Sequence, residues 1–408
     1  DLTNYDKRFE EDPSSFNDFQ AMDYVKELKN QGRTDDAIEV GKTFLQVCEE
    51  LTGYINHYGY ALYNKFINVD EDTIQNKEDL FFSIVDEIAS LCKQEKYSPL
   101  EATINKAMKY VLNQKPVNYK KLLELLDKLD AQTLSTDPFI NAAGKEYESK
   151  REKWYRLKVR SLFELGEYTQ CLEYANIALT QPLKWHYNNL NWVKYYRACS
   201  LVKLERYEEA ENAFISLGNK IPTGDSFDIL FKLYMNTGKE KEAYTQLIYK
   251  FFVSGYSTDQ LPLYEMILDM VSHGQNQDIL DYCQALVYKI KEETNQDLTN
   301  NTIKDQLKQS NSSELYDRLY NQLMEHLDNY IDRYEGKIVY YNQDKEFGTI
   351  YQDDDDNLFF RQADYIYDEI VEKRDVVEYS VIKTYDRKKQ LPTTKAVLLK
   401  TLYEDIDY

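Results

Sequence analysis

The hydrophobic pattern of this chain changes at Gly336. Before that residue, apolar side chains recur at the three-to-four-residue spacing of amphipathic helices, and a late example runs through Leu315, Leu319 and Leu323. After it, short aromatic-bearing runs alternate with turn-forming residues, which is typical of β-strands. Glycine and proline are scarce, at 13 and 8 of 408 residues, which favours long helices with short turns. The sequence therefore predicts a mainly α chain that ends in a small β-module.

Four stretches of the helical part share one arrangement. Each has a periodic helix, a short turn and a second helix that opens on a small or aromatic residue. The turns contain Gly32, Gly166, Glu205 and Gly238. A turn glycine supplies the left-handed conformation that ends a helix. The turn residues Gly166, Glu205 and Gly238 are 39 and 33 residues apart. Repeats of about 34 residues are typical of helix-pair arrays.

The run from Leu165 to Tyr168, with small residues at Ala175 and Ala178, resembles the tetratricopeptide repeat, and the resemblance is clearest over 150–252. It implies an α-solenoid of helix pairs whose concave face binds a protein partner.

The domain organisation predicted on this basis has four parts. We predict the solenoid over 1–291 and a polar linker or loop over 292–312, where Asn, Gln, Ser and Thr are frequent. A capping or connecting helix follows over 313–335, and the β-module occupies 336–408.

The β-module contains three diagnostic runs, at 336–342, 345–350 and 357–361. Their order and their residues resemble the first three strands of a cold-shock domain, with GKIVYYN, KEFGTI and NLFFR in the matching places. The resemblance covers about 65 residues, one sixth of the chain. It implies a small five-stranded antiparallel β-barrel of the OB type, which binds single-stranded RNA or DNA.

By that resemblance, four side chains fall on the base-stacking face: Tyr340, Phe347, Phe359 and Arg361. A stacked base is worth ~1–3 kcal/mol, and an arginine can stack or contact phosphate. Lys345, beside the second run, is a further candidate contact. Lys388 belongs to a basic cluster that also has Lys383, Arg387 and Lys389, which is either a phosphate contact or a solvated hairpin tip.

Charge limits how nucleic acid could be bound. The chain has 50 Lys and Arg against 71 Asp and Glu, a net charge of −21. Glu346 stands where cold-shock domains have a glycine, and the run Asp353–Asp356 adds four acids nearby. Because phosphate neutralisation supplies most of the affinity in wide interfaces, the sequence predicts a local contact that is weak and salt-sensitive.

Catalytic and metal-binding patterns are missing from the sequence. The histidines at 57, 186, 273 and 326 are scattered, and no HExxH, CxxC, GxxxxGK[ST] or GxGxxG is present. We therefore predict no catalytic residue, cofactor or metal site. The five cysteines are not paired in motifs, and no apolar run of about 18 residues occurs, which predicts a cytoplasmic protein without membrane contact.

The function predicted from the sequence is a non-enzymatic adaptor, in which the solenoid binds a protein partner and the barrel contacts single-stranded nucleic acid. The first alternative is a pure protein-interaction scaffold whose barrel no longer binds nucleic acid. The second is a cryptic nuclease or other hydrolase.

Overall fold

Helices make up most of the chain, and a closed barrel follows them. The computed structural model describes residues 2–45, 48, 51–223, 226–352 and 357–403. The chain divides into two compact units, Asp1–Ser200 and Leu201–Tyr408, and the barrel belongs to the second. The predicted order, a mainly helical chain with a closed five-stranded barrel near its end, is confirmed.

The first unit is built on a continuous apolar core of residues from its helices. A small hairpin, formed by β1 (Phe139–Ile140) and β2 (Glu146–Tyr147), interrupts the helices. The helices are α1 Leu2–Glu11, α2 Asp18–Asn30, α3 Thr34–Phe44, α4 Thr52–Leu62, α5 Glu71–Asn76, α6 Glu78–Leu91, α7 Leu100–Asn113, α8 Tyr119–Leu126, α9 Lys150–Glu164, α10 Tyr168–Thr180 and α11 Asn189–Lys203, the last of which ends in the second unit.

The second unit places further helices before the barrel. They are α12 Tyr207–Leu217, α13 Ser226–Asn236, α14 Glu240–Ser254, α15 Leu261–Ser272, α16 Gln277–Glu293 and α17 Ser312–Glu325. Residues 294–311, where the sequence is polar, contain a short 3-10 turn and no α-helix. The helix expected over 313–335 ends at Glu325, although Leu327 and Ile331 continue its apolar stripe in a 3-10 turn and the segment after it. Both side chains are buried, which explains why the apolar pattern of the sequence continues beyond the end of the helix.

The predicted helix pairs end their first helices in the same way. The turn residues Gly32, Gly166, Glu205 and Gly238 all have positive φ, at 75°, 75°, 59° and 75°. In each turn the N–H of the following residue donates to a carbonyl five residues earlier, as from Glu167 to Leu162 at 2.9 Å and from Lys239 to Tyr234 at 2.8 Å. This is the hydrogen bond of a Schellman motif. The four turns thus share one backbone geometry, although only three of them have glycine at the position of positive φ.

The barrel consists of β3 (Tyr334–Asn342), β4 (Phe347–Ile350), β5 (Leu358–Arg361), β6 (Val376–Asp386) and β7 (Leu391–Thr401). Its strands close in the order β3-β4-β5-β7-β6. Four of the pairings are antiparallel, but β5 and β7 pair in parallel, with Phe359 opposite Lys395.

The prediction of an antiparallel barrel is therefore wrong, and the barrel is mixed. The reason is topological. A closed ring with an odd number of strands cannot alternate direction at every step, so at least one neighbouring pair must be parallel. Here β7 returns antiparallel to β6, and it therefore runs in the same direction as β5.

Gly348 sits in the barrel wall between two aromatic rings. It pairs with Tyr341 on one side and Phe360 on the other, and those rings lie parallel, with centroids 6.3 Å apart. A Cβ at this position would lie 2.6 Å from Phe360 Cζ and would also meet the Tyr340 carbonyl oxygen. The close approach of strand and ring requires glycine here.

Buried carboxylates connect the barrel to helices of the same unit. Glu211 on α12 is 3% exposed, accepts a hydrogen bond from Tyr234 at 2.6 Å and lies 2.9 Å from Lys383 Nζ on β6. Burial would raise the pKa of Glu211, but the hydrogen bonds from Tyr234 and Lys383 outweigh it, so the pKa lies below its ordinary value.

A second buried carboxylate makes an equivalent connection. Asp364, just after β5, accepts a hydrogen bond from Tyr249 on α14 at 2.6 Å. Lys395 on β7 lies 3.5 Å from the same carboxylate and donates to the Tyr249 hydroxyl at 3.0 Å. The apolar core of the helices also continues into the barrel, where its members are Ile366, Ile382, Val397 and Leu398. The barrel thus contacts helices through β6, β7 and the segment after β5.

The substitution Gly348→Ala should destabilise the second unit by about 1–3 kcal/mol, because the added methyl group cannot avoid the wall and the Phe360 ring. Urea unfolding of the full chain measures this loss. Thr349→Ala, which changes a half-buried neighbour on the opposite face of β4, is the control and should cost much less. An unchanged unfolding midpoint in Gly348→Ala would contradict the described packing.

Glu211 should make the stability of the second unit pH-dependent. Because its folded pKa is lowered, its contribution is complete above the unfolded value near 4.5 and is lost as the pH falls through the folded pKa. Above about pH 5, and therefore also at neutral pH, Glu211→Gln should lower the free energy of unfolding by about 1–3 kcal/mol.

The difference in the free energy of unfolding between the wild type and Glu211→Gln should decrease as the pH falls below about 5. Urea unfolding at a series of pH values measures it. Glu208→Gln, at an exposed position on the same helix, should follow the wild type throughout. A gap that is constant with pH would rule out this role for the Glu211 carboxylate.

Candidate nucleic-acid interface

Three aromatic rings lie side by side across neighbouring strands of the barrel. Tyr340 on β3 is 6.0 Å from Phe347 on β4, and Phe347 is 5.6 Å from Phe359 on β5, measured between ring centroids. The three predicted stacking residues are therefore brought together. We call the surface formed by Tyr340, Phe347, Phe359 and Arg361 the ring face.

The strand register produces this arrangement. Tyr340, Thr349 and Phe359 are opposite one another across β3, β4 and β5, and Asn342, Phe347 and Arg361 form the next such row. Side chains alternate between the two sides of a strand. The intervening residues Ile350, Leu358 and Phe360 are accordingly buried in the barrel interior.

A β-bulge aims Tyr340 outward. Ile338 and Tyr340 are two residues apart and would normally point to the same side of β3. The register shifts between them, so Ile338 is 1% exposed whereas Tyr340 is 47% exposed. Bulges re-aim side chains in this way. Without the shift, the Tyr340 ring would lie in the interior.

The ring face is accessible to solvent within its unit. Phe347 and Phe359 are half-buried against their neighbours, and Arg361 is exposed. The helices of this unit pack mainly on β6 and β7, which are the strands that carry Lys383 and Lys395. The rings belong to the other three strands and leave flat surfaces available to a ligand.

Tyr351 extends the ring face, although it is not among the contact residues predicted from the sequence. Its side chain is 55% exposed, and its N–H donates to the Lys337 carbonyl at 2.9 Å, which continues the pairing of β3 with β4. The residues Phe347, Thr349 and Tyr351 alternate along β4 with the buried Gly348 and Ile350. That period of two was the signal by which Tyr351 could have been found. Lys337, opposite it, adds an exposed cation.

The two candidate lysines lie in different places. Lys345 is exposed in the turn between β3 and β4, and its N–H donates to Asn342 Oδ1 at 2.9 Å, which ties this turn to the row of Phe347. Lys388 is exposed in the turn between β6 and β7, where its N–H donates to Asp386 Oδ1 at 2.8 Å. Lys345 therefore borders the ring face, while Lys388 is in the turn between two strands that do not carry the rings.

Charges around the ring face are mixed. Arg361, Lys337 and Lys345 are positive, and Glu346, held at φ 53° in the β3–β4 turn, is exposed and negative. The run Asp353–Asp356 lies outside the described residues. Lys383, from the basic cluster near the last turn, pairs with the buried Glu211 and is not part of a solvated hairpin tip. The local balance permits a few phosphate contacts and little more.

Neither of two sequence comparisons identifies a relative of this chain. No protein-family model matches the chain, and a search of curated proteins returns no match. Among the described residues, no group of three or more His, Cys, Asp or Glu side chains could hold a metal ion. In the same part of the chain, no helix is both long and apolar enough to cross a lipid bilayer.

If the rings are surface groups, they can be removed at little cost to stability. Phe347→Ala and Phe359→Ala should each lower the free energy of unfolding by roughly 1 kcal/mol, because each ring is only half-buried. Phe360→Ala, which empties the barrel interior, should cost about 3–5 kcal/mol. Chemical unfolding of the full chain compares the three. Losses of equal size would show that Phe347 and Phe359 are core residues and cannot form a ligand surface.

Proposed function

We propose that the protein is a non-enzymatic adaptor, in which the barrel binds single-stranded RNA or DNA by stacking and the helix pairs bind a protein partner. The observation that carries the proposal is the contiguous group of Tyr340, Phe347 and Phe359 on the outer side of β3, β4 and β5. Solvent-accessible aromatic rings grouped in this way suit unpaired bases, since every base has a flat π-surface.

The strand order supports this use of the barrel. Numbered within the barrel, the closed order β3-β4-β5-β7-β6 is 1-2-3-5-4. This is the order expected of the OB-type cold-shock barrel that the sequence resembles. In OB-folds the surface of strands 2 and 3 binds oligonucleotides. Here those strands are β4 and β5, and they carry Phe347, Phe359 and Arg361.

The expected binding mode is dominated by stacking. Each ring can contribute ~1–3 kcal/mol by stacking on a base. Arg361 borders the Phe347 ring in its row and can contact phosphate. Since the net charge is −21, we expect only one or two phosphate contacts and a slope of log K against log salt of about −1.

The proposal for the helical part rests on its repeated geometry. Four helix pairs share a turn with one residue at positive φ and the same backbone hydrogen bond. This repetition supports a tetratricopeptide-like solenoid. Stacked helix pairs present extended surfaces, and a concave face of this kind is where we propose that the protein partner binds.

The test is a fluorescence-anisotropy titration of the full chain with labelled single-stranded RNA and DNA and with a duplex of the same sequence. The wild type should bind the single strands and not the duplex. Phe347→Ala combined with Phe359→Ala should weaken binding by at least about tenfold, because two stacking contacts are lost. Phe139→Ala removes an exposed ring from the first unit and should change nothing.

The alternatives predict other results. Absence of binding at low salt, or binding that the double variant leaves unchanged, would contradict the proposal and favour the pure scaffold. Cleavage of the single strands in the presence of a divalent cation would favour the hydrolase.

A further inference from the structure

The first unit contains a pocket that neither the helix repeats nor the ring face explains. It lies between the end of α2, one side of α4 and the segment after α6, and has a volume of about 730 Å³. This volume is in the range of pockets that hold small organic molecules. Its lining includes Lys29, Asn56, His57, Tyr60 and Tyr97, together with the charged residues Glu95 and Lys96.

Close packing of α4 shapes this pocket. A Cβ at Gly59 would lie 2.7 Å from Cys92 Sγ and 2.9 Å from Pro99 Cγ. Glycine therefore lets α4 approach the segment that connects α6 with α7. The same segment carries Tyr97, so the approach brings its ring to the mouth of the pocket.

Lys29 is a half-buried cation without a carboxylate partner among the described residues. Its Nζ is 3.1 Å from His57 Nδ1 and 5.5 Å from the centre of the Tyr60 ring. Burial, followed by the charge of Lys26, lowers the pKa of Lys29. A partly desolvated ammonium group that donates to a histidine has donors left for an anion.

His57 provides a neutral donor beside that ammonium group. Burial, with Lys29 and Lys26 as further causes, lowers the pKa of His57 to about 4. The ring is therefore neutral near pH 7. Because Nδ1 accepts the hydrogen bond from Lys29, the ring proton is on Nε2, on the far side of the ring from Lys29, where it can donate to a different acceptor of the same ligand.

Asn56 contributes an acceptor that has no partner. The side chain is only 8% exposed, and its Nδ2 donates to Glu95 Oε1 at 3.4 Å. Its Oδ1 is buried and makes no hydrogen bond. An unmatched buried acceptor costs about 1–3 kcal/mol, which a ligand N–H or O–H recovers when the Asn56 amide turns toward the pocket.

Tyr97 offers a flat surface at the mouth of the pocket. It is 75% exposed and is held at φ 67°, a conformation that is uncommon for residues other than glycine. Lys96 Nζ lies 5.0 Å from the centre of its ring. Backbone strain of this kind clusters at binding sites.

We propose that this pocket binds a small organic anion, a phosphate or a carboxylate, that also carries a flat ring and a hydrogen-bond donor. Lys29 binds the anionic group, the His57 Nε2–H donates to another acceptor of the ligand, the ligand donor pairs with Asn56 Oδ1, and the ring of the ligand stacks on Tyr97. The pocket is in the first unit and the ring face in the second, so this proposal does not depend on nucleic-acid binding by the barrel.

Isothermal titration calorimetry of the full chain tests the site with four probes. Adenosine monophosphate combines a phosphate, a ring and donors, and 4-hydroxybenzoate combines a carboxylate, a ring and a donor. Adenosine lacks the anion, and inorganic phosphate lacks the ring. We expect adenosine monophosphate or 4-hydroxybenzoate to bind. Adenosine and inorganic phosphate should each bind at least about tenfold more weakly. The tighter of the two full probes identifies the anion as phosphate or carboxylate.

Three variants locate the binding. Lys29→Met should weaken it by about tenfold or more, since a hydrogen bond to a charged group is worth about 1.5–3 kcal/mol. Asn56→Leu should also weaken it. Lys42→Met, at an exposed position on α3, should not. The double variant of Phe347 and Phe359 should keep the affinity, which separates this pocket from the ring face.

Unfolding distinguishes a binding role of Lys29 from a structural one. Because Lys29 is desolvated and unpaired with a carboxylate, Lys29→Met should leave the stability unchanged or raise it while binding is lost. No binding of either full probe up to roughly 10 mM, or affinities that Lys29→Met and Asn56→Leu leave unchanged, would overturn the proposal.

Discussion

The position of the barrel is fixed by carboxylates that are buried away from water. A buried charge is tolerated only when it is paired and hydrogen-bonded. Asp364 is paired with Lys395 of β7, and Glu211 is paired with Lys383 of β6 as well as with Lys239, just before α14. That requirement determines which side of the barrel faces the helices of its unit. The remaining strands, β3, β4 and β5, are left to carry an exposed surface.

This division of the barrel reconciles an acidic chain with a candidate nucleic-acid surface. Stacking does not need a wide positive field, because its strength comes from ring contact. Electrostatic contacts matter only locally, and Arg361 is placed for one of them. Lys383 and Lys395 pair with Glu211 and Asp364, so these two cations of β6 and β7 serve the attachment of the barrel to the helices.

Local signals in the sequence predicted much of the fold, and long-range pairing accounts for what they missed. The runs around Tyr340, Phe347 and Phe359 predicted the first three strands, because strand and turn residues are local signals. The placement of those rings on one face was predicted from the resemblance to a cold-shock domain. The bulge that turns Tyr340 outward, the parallel pairing of β5 with β7 and the partner of Lys383 depend on residues distant in the sequence. The helix end at Glu325 was also hidden, because buried residues continue its stripe beyond the helix.

Photo-crosslinking can show whether β3, β4 and β5 form the ligand surface while β6 and β7 hold the barrel to its helices. Single-stranded RNA that contains 4-thiouridine would be irradiated with the full chain, and the linked residues identified by mass spectrometry. Crosslinks at Tyr340, Phe347, Tyr351 or Phe359 are the predicted result. Crosslinks confined to the helices or to β6 and β7 would contradict the account.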